Sequence, residues 1–283
     1  MVEGHGCHRV AAAHRKKLLN LVFAASSPNG RFADGARAID AKALLDVQVH
    51  GKNLFYFFGK ARSSPLNFTD VVHIHFGMSG QFRVAAAASE PATKPTTRLR
   101  LASSCGTRVA HLSAMTVRHG GEELYTDAIA KLGPDPLRAD AQPELLFARM
   151  RKSRKSVGLA LMDQSMVAGI GNIYRAEILF KAGVHPEQKC SSIAQPKAEE
   201  IWRHSVALLQ RGFVTGSILT VDDADAAAMG PPWTRRYVYN HSSCGRCGSD
   251  IKSWAMANRT AYACEVCQPL LQLEAEAGAA AVS

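Results

Sequence analysis

The sequence predicts an α+β fold: a β-rich first half, a helical second half and a metal-bound hairpin near the end. Three observations predict it. Short β-prone runs separated by turn residues fill the first half. The breaker Leu132-Gly133-Pro134-Asp135-Pro136-Leu137 marks a change to helical texture. Two Cys-x2-Cys pairs then appear late in the chain.

From 7 to 24, apolar residues recur at Val10, Ala13, Leu18, Leu21 and Val22 with basic residues between them, which predicts an amphipathic helix. Ser26-Ser27-Pro28-Asn29-Gly30 is a turn cluster. Strands are predicted over 54–58, 71–76, 81–84, 98–101 and 108–112, and the alanine-rich 85–97, with its two prolines, is predicted to be an exposed loop. Beyond the breaker, helices are predicted over 143–150, 158–163, 172–182 and 198–211. The resulting domains are 1–131, 132–232 and a cysteine-rich 233–268, followed by a tail, 269–283, expected to be disordered. No internal repeat is visible.

Bulk composition narrows the function. Hydrophobic residues make up 47% of 283 residues, enough for two cores. With 34 Lys and Arg against 24 Asp and Glu, the formal charge is +10 and the pI is about 9.4. Such a surface attracts polyanions, of which nucleic acid is the commonest, although a basic enzyme with a small acidic substrate has the same balance. No apolar run reaches the roughly 18 residues of a membrane span. The opening Met1-Val2-Glu3-Gly4-His5 lacks the features of a secretory signal. An intracellular protein is therefore expected. Its seven cysteines read as metal ligands or buried thiols rather than disulfides.

Cys244-x2-Cys247 and Cys264-x2-Cys267 are separated by 16 residues. Four thiolates satisfy tetrahedral zinc, and the spacing suits two knuckles joined by a hairpin, with strands near 251–254 and 260–263. Arg259 then falls near the hairpin tip. The plain alternative is a zinc that only staples the chain. Cys7, Cys105 and Cys190 have no matching partners and read as ordinary thiols.

The second signal lies in 161–177. An apolar helix is expected to end near Val167, followed by Gly169-Ile170-Gly171 and a new helix from Asn172. Backbone amides at that helix start, aided by the helix dipole, suit a phosphate, with Asn172 capping the helix or bonding the phosphate. A tight helical hairpin without ligand is the plain reading. Just upstream, Arg149, Arg151, Lys152, Arg154 and Lys155 form either a solvated face or a stripe for a DNA backbone.

Together these pieces resemble the formamidopyrimidine-DNA glycosylase and endonuclease VIII family. The resemblance runs from Met1 to about Gln268. It rests on Glu3-Gly4, Gly51-Lys52-Asn53-Leu54, His75-Phe76-Gly77-Met78-Ser79-Gly80, the breaker, Asp163-Gln164 through Gly171-Asn172, and the cysteine pairs ending Cys267-Gln268. Glu3-Gly4-His5 and 27–35 look most like an actinobacterial endonuclease VIII-like branch. The resemblance implies a β-sandwich with the N-terminal helix, a helix–two-turn–helix domain, a zinc finger holding one structural Zn²⁺, and damaged DNA in the cleft between them. It also implies a monomer. It assigns the nucleophile to the α-amine of Val2, freed by loss of Met1, and proton donation to Glu3. Lys52, Asn172 and Arg259 hold phosphates, and Met78 fills the hole left by a flipped base. General chemistry agrees: an α-amine has a pKa of about 7.7–8.0 against about 10.4 for lysine, so an appreciable fraction of it is neutral at neutral pH.

Three departures matter. The family carries proline where Val2 stands, so the Schiff base must be protonated before it draws electrons, and weak δ-elimination is expected. A vertebrate branch that also opens Met-Val-Glu-Gly is similar in this. Gly6 stands where a second acid is common, and 112–124 has no counterpart of the arginine and phenylalanine that accompany the wedge methionine. Oxidised pyrimidines or single-stranded substrates are therefore expected. The competing readings are a catalytically silent sensor of damaged or abasic DNA and an RNA-associated zinc protein.

Overall fold

The computed structural model describes residues 2–271. The expected tail falls mostly on 272–283, outside the described residues.

Helix α1 (Gly4–Leu18) opens the chain, and β1 (Val22–Ser26) follows at once. The helix predicted over 7–24 is therefore too long. Asn20 takes a positive φ of 65°, a left-handed conformation that breaks the helical path, and the apolar residues after it join a sheet. Helix α2 (Ala33–Ile39) follows, and then β2 (Lys42–His50), β3 (Asn53–Gly59), β4 (Phe68–His75), β5 (Gln81–Ala86), β6 (Leu99–Ser103), β7 (Arg108–Ser113) and β8 (Thr116–Gly120). The five predicted strands are present. β1, β2, β8 and α2 went unpredicted.

Strand order is β5-β7-β6-β1-β2-β3-β4-β8, with every pairing antiparallel. At the centre, β1 meets β2 through only Val22↔Ala43 and Phe23↔Lys42. That narrow seam lets the two four-stranded halves turn face to face as a sandwich. Alternation along β3 assigns the faces. Leu54, Tyr56 and Phe58 enter the inner core with Phe23, Leu101 and Leu112, while Phe55 and Phe57 face outward. Helix α3 (Glu122–Ile129) covers those outward rings with Tyr125, Ala128 and Ile129.

Beyond the breaker come α4 (Pro143–Lys152), α5 (Val157–Ala160), α6 (Asn172–Lys181), α7 (Gln195–Thr215) and α8 (Asp223–Met229). The apolar helix expected to reach Val167 stops at Ala160 instead. Beyond it the chain runs through turns, one held by Asp163 Oδ1 accepting from the Ser165 amide at 3.0 Å. A second core gathers Leu146, Val157, Leu161, Ile170, Tyr174, Ile178 and Leu209. Strands β9 (Lys252–Met256) and β10 (Arg259–Ala263) form the late hairpin, one or two residues from the predicted positions. No helix among the described residues is long and apolar enough to cross a membrane.

Candidate active site and nucleic-acid interface

Three glycines let three segments touch at one point. The Gly4 amide donates to Gly169 O at 2.9 Å. A Cβ on Gly4 would sit 2.7 Å from Gly169 Cα, and one on Gly51 would sit 2.6 Å from Gly169 N. Backbone contact this close admits no side chain. The start of α1, the β2–β3 turn and the loop before α6 are thereby locked together. Asp135, inside the breaker, clamps the same junction: it accepts from His8 Nε2 at 2.7 Å, Gly51 N at 2.6 Å and Leu137 N at 2.9 Å. Burial pushes its carboxyl upward, but those bonds outweigh it and hold the pKa below the ordinary value.

Glu3 lies in this junction and is 1% exposed. Its Oε1 accepts the Ile173 amide at 3.3 Å, at the N-terminus of α6. Oε2 lies against Gly171 and has no hydrogen-bond partner among the described residues. Burial raises the Glu3 pKa to about 7, against the opposing pull of the Lys52 charge and the α6 amides. Lys52 reaches in from the β2–β3 turn and donates from Nζ to Ile170 O at 2.7 Å. Burial lowers its pKa, and the Glu3 charge opposes that shift. Val2 precedes this pair and packs partly against the sandwich core. A carboxyl poised to hold or release a proton near neutrality, beside a buried ammonium, is equipment for acid catalysis.

Helix α6 is buried from Asn172 to Phe180. Asn172 does not cap it: Gly171 is the N-cap residue, and Asn172 Nδ2 instead donates to Thr260 O at 3.0 Å in the hairpin. Arg175, one turn on, donates from Nη2 to Asn172 Oδ1 and, at 3.0 Å, to Thr260 O. Burial lowers the Arg175 pKa to about 10. Glu177 accepts the amides of Tyr237, Val238 and Tyr239 at 2.7, 3.0 and 2.8 Å, which ties the segment before the cysteines to α6. At the hairpin tip Arg259 is exposed, and its Nη2 lies 3.9 Å from Met78 Sδ on the β4–β5 loop. Met78 is 59% exposed. A second exposed methionine, Met115, packs beside it against Gly77, and its amide donates to Phe76 O at 3.3 Å.

The four cysteine sulfurs Cys244, Cys247, Cys264 and Cys267 lie within 4.8 Å of one another. Cys247–Cys264 and Cys244–Cys267 are 3.4 and 3.9 Å apart. Sulfurs at about 2.3 Å from a tetrahedral zinc stand roughly 3.8 Å apart, so the donor set and its spacing fit that ion. Gln268 fixes the cluster to the helical domain, accepting from Cys264 N at 3.2 Å and donating to Val184 O at 2.8 Å.

Family models match both halves of the chain: the formamidopyrimidine-DNA glycosylase N-terminal domain over 1–118 and the formamidopyrimidine-DNA glycosylase H2TH domain over 132–223. Endonuclease 8 1 of Mycobacterium tuberculosis is 34% identical over 277 residues, covering 95% of this chain and all of that protein. The chain belongs to the formamidopyrimidine-DNA glycosylase and endonuclease VIII family. The formamidopyrimidine-DNA glycosylase of a Synechococcus strain is 32% identical over 69% of this chain and 72% of that protein. The fold matches the Lactococcus lactis formamidopyrimidine-DNA glycosylase in complex with DNA containing an abasic site, with a TM-score of 0.77 at 21% identity, over 94% of this chain and 99% of that one.

Against that family pattern, Glu3 and Lys52 come together in one buried junction, while Arg259 at the hairpin tip reaches Met78 on the β4–β5 loop. Asn172 on α6 is bonded to the same hairpin through Thr260 O. Asp135, Arg175, Glu177 and Met115 were missed from sequence. Asp135 was hidden inside a motif read as a domain boundary and as part of the family resemblance, with no role given to the residue itself. Arg175 and Glu177 could have been suspected as charges in an otherwise apolar helix. Of the upstream cations, Arg149 bonds Ser165 O, Arg151 donates to Gln195 Oε1 at 2.9 Å and Lys155 pairs with Asp163 at 2.9 Å. Lys152 and Arg154 have no ion pair among the described residues.

Proposed function

We propose that the protein is a base-excision DNA glycosylase that also cleaves at abasic sites, acting as a monomer on oxidised bases with pyrimidines favoured. The observation that carries this reading is the buried Glu3 carboxyl, with a pKa near 7, placed one residue after Val2 and beside Lys52. The α-amine of Val2, freed by loss of Met1, attacks the sugar C1′ of a flipped nucleotide. The C1′–N bond breaks and the base leaves with its electron pair. Glu3 gives its proton to the ring oxygen, which opens the sugar and leaves a Schiff base on Val2. Elimination of the 3′ phosphate follows. Lys52, Asn172 and Arg259 take phosphates of the damaged strand, and Met78 occupies the space the base vacates, offsetting part of the few kcal/mol that flipping costs. Zinc, held by Cys244, Cys247, Cys264 and Cys267, supplies rigidity to the hairpin that presents Arg259.

Borohydride trapping tests this. The purified protein, shown by mass to have lost Met1, is incubated with abasic or oxidised-pyrimidine oligonucleotides and reduced, and the adduct is mapped. A covalent adduct on the Val2 amine is expected. Val2 in the place of proline favours a second reading, a silent sensor of damaged DNA; binding without any adduct would leave that reading standing.

A further inference from the structure

A groove of about 610 Å³ opens beside Met78 on the sandwich, and neither Lys52, Asn172 nor Arg259 lines it. Met78 and Met115 form one rim, and Arg31, Lys94 and Arg98 line the rest with Asn29, Thr96 and Ser113 among the neutral donors. No acidic residue lines it. Elsewhere on this half of the protein Arg37 pairs with Asp34 and Arg100 with Glu90, whereas Arg62, Arg83, Arg108 and Arg118 have no ion pair among the described residues but do not line this groove. Arg31, Lys94 and Arg98 have no carboxylate within ion-pair distance among the described residues, although Arg98 lies only two positions from the paired Arg100.

The cations are held by stitched backbone. Asn29 Oδ1 accepts the Arg31 amide at 3.1 Å, and Asn29 Nδ2 donates to Pro95 O at 3.2 Å, which joins the loop before α2 to the loop before β6. The Lys94 amide donates to Thr97 Oγ1 at 2.9 Å, and Thr97 N returns to Lys94 O at 2.8 Å. Arg98 N donates to Leu112 O at 2.8 Å. Three uncompensated cations on a fixed frame, with neutral donors between them, suit consecutive phosphates of a nucleic-acid backbone.

We propose that this groove seats the phosphates of the undamaged strand, the one paired with the strand held by Lys52, Asn172 and Arg259. The inference rests on the reading of the protein as an enzyme of damaged DNA. Met78 and Met115 stand at the rim, between the two strand seats, where an apolar pair replaces the stacking that disappears when a base leaves the duplex. A single-stranded substrate has nothing to place in the groove, so the groove separates the two substrate forms.

The test uses Arg31→Gln, Lys94→Gln and Arg98→Gln combined in the full chain, with duplex and single-stranded oligonucleotides of one sequence carrying an abasic site. Affinity is measured across a salt series, and borohydride adducts are scored on the single strand. Duplex affinity is expected to fall about tenfold or more, and the slope of log affinity against log salt to lessen by about 0.9 for each phosphate no longer neutralised. Single-strand affinity and adduct yield are expected to match the wild type. Equal losses on both forms, or no loss on the duplex, would overturn the groove while leaving the Val2 site intact. A wild-type protein that neither binds nor traps either form would overturn the enzyme reading and the groove with it.

Discussion

The Glu3 carboxylate lies against Gly171 so closely that a Cβ on that glycine would fall 2.1 Å from Oε2. The acid of the site and the N-cap of α6 are thus fitted as a pair, and the fit requires glycine. Gly171→Ala must push the carboxylate off the α6 amides or move the helix. Overpacking of this kind costs about 1–3 kcal/mol. Thermal melting should drop by several degrees, and base excision should fall further than that loss of stability explains. Retention of full excision in the alanine variant would show that the placement of Glu3 against α6 is not needed.

The raised Glu3 pKa makes a prediction with a definite sign. Its folded value is about 7 against an ordinary 4.5, so the folded protein binds the proton more tightly than the unfolded chain. The stability this contributes is fully present below 4.5 and is lost as pH rises through about 7. In the proposed mechanism Glu3 donates a proton only while protonated, whereas the α-amine attacks only when neutral, a form that predominates above about 7.7–8.0 in its ordinary state. Excision should therefore peak near neutrality, with a falling limb governed by Glu3. Glu3→Gln should lower excision by about 10²–10⁴-fold and flatten the fall of stability with pH. Trapping on a preformed abasic site should suffer less, because that sugar opens to its aldehyde unaided. Rate profiles and denaturant midpoints across pH 5 to 9 check both expectations; an unchanged falling limb in the variant would assign it to another group.

Removal of zinc should act at a distance. The cysteine cluster stiffens a hairpin whose Thr260 carbonyl accepts from both Asn172 and Arg175 and whose tip carries Arg259. Chelation, or Cys264→Ser, should release one zinc per chain by mass spectrometry. It should also lessen the salt slope of DNA binding by about 0.9, the share of one phosphate, as Arg259 is freed from its fixed position. The sandwich core, which shares no residue with the hairpin core, should keep its strands by circular dichroism. Unchanged DNA affinity and salt slope after metal loss would make the ion a staple for the chain end alone.

What was legible in the sequence is what depends on local pattern. Cysteine spacing placed the hairpin within one or two residues, and β3 announced itself as a continuous β-prone run from Leu54 to Phe58. What escaped depends on partners far along the chain. Residues 21–24 read as helix because their apolar period continued from α1; a positive φ at Asn20 ends that path, and β1 begins at Val22, with Phe23 and Ala24 paired to Ser103 and Ala102. β2 is broken by a register shift between Leu44 and Asp46, which blurs its alternation. In the site, Glu3 and Lys52 were visible only through family resemblance. Asp135 gave no signal of its own and Arg175 only that of a charge in an apolar helix, since their meaning lies in bonds to Gly51 and Thr260, 84 and 85 residues away.

Val2, which stands where the family resemblance puts proline, makes the final prediction. Val2 precedes Glu3, the N-cap of α1, and its side chain packs partly against the sandwich core. A primary amine forms an imine at C1′ that draws electrons only when protonated, whereas a proline nitrogen forms an iminium that is cationic at every pH. The first elimination takes a proton from C2′ and breaks the C3′–O bond. The second takes a proton from C4′ and breaks the C5′–O bond, and each step needs the nitrogen as an electron sink. Wild-type protein should therefore stop largely after the first cut, and increasingly so as pH rises. Val2→Pro should raise the share of doubly cleaved product, most at alkaline pH, with borohydride adducts still mapping to residue 2. Gel mobility separates a 3′ phosphate from an unsaturated aldehyde end and reads that share directly. If both proteins trap equally and give the same product ratio at every pH, the class of amine does not limit the second elimination, and the groups that remove the C4′ proton become the place to look.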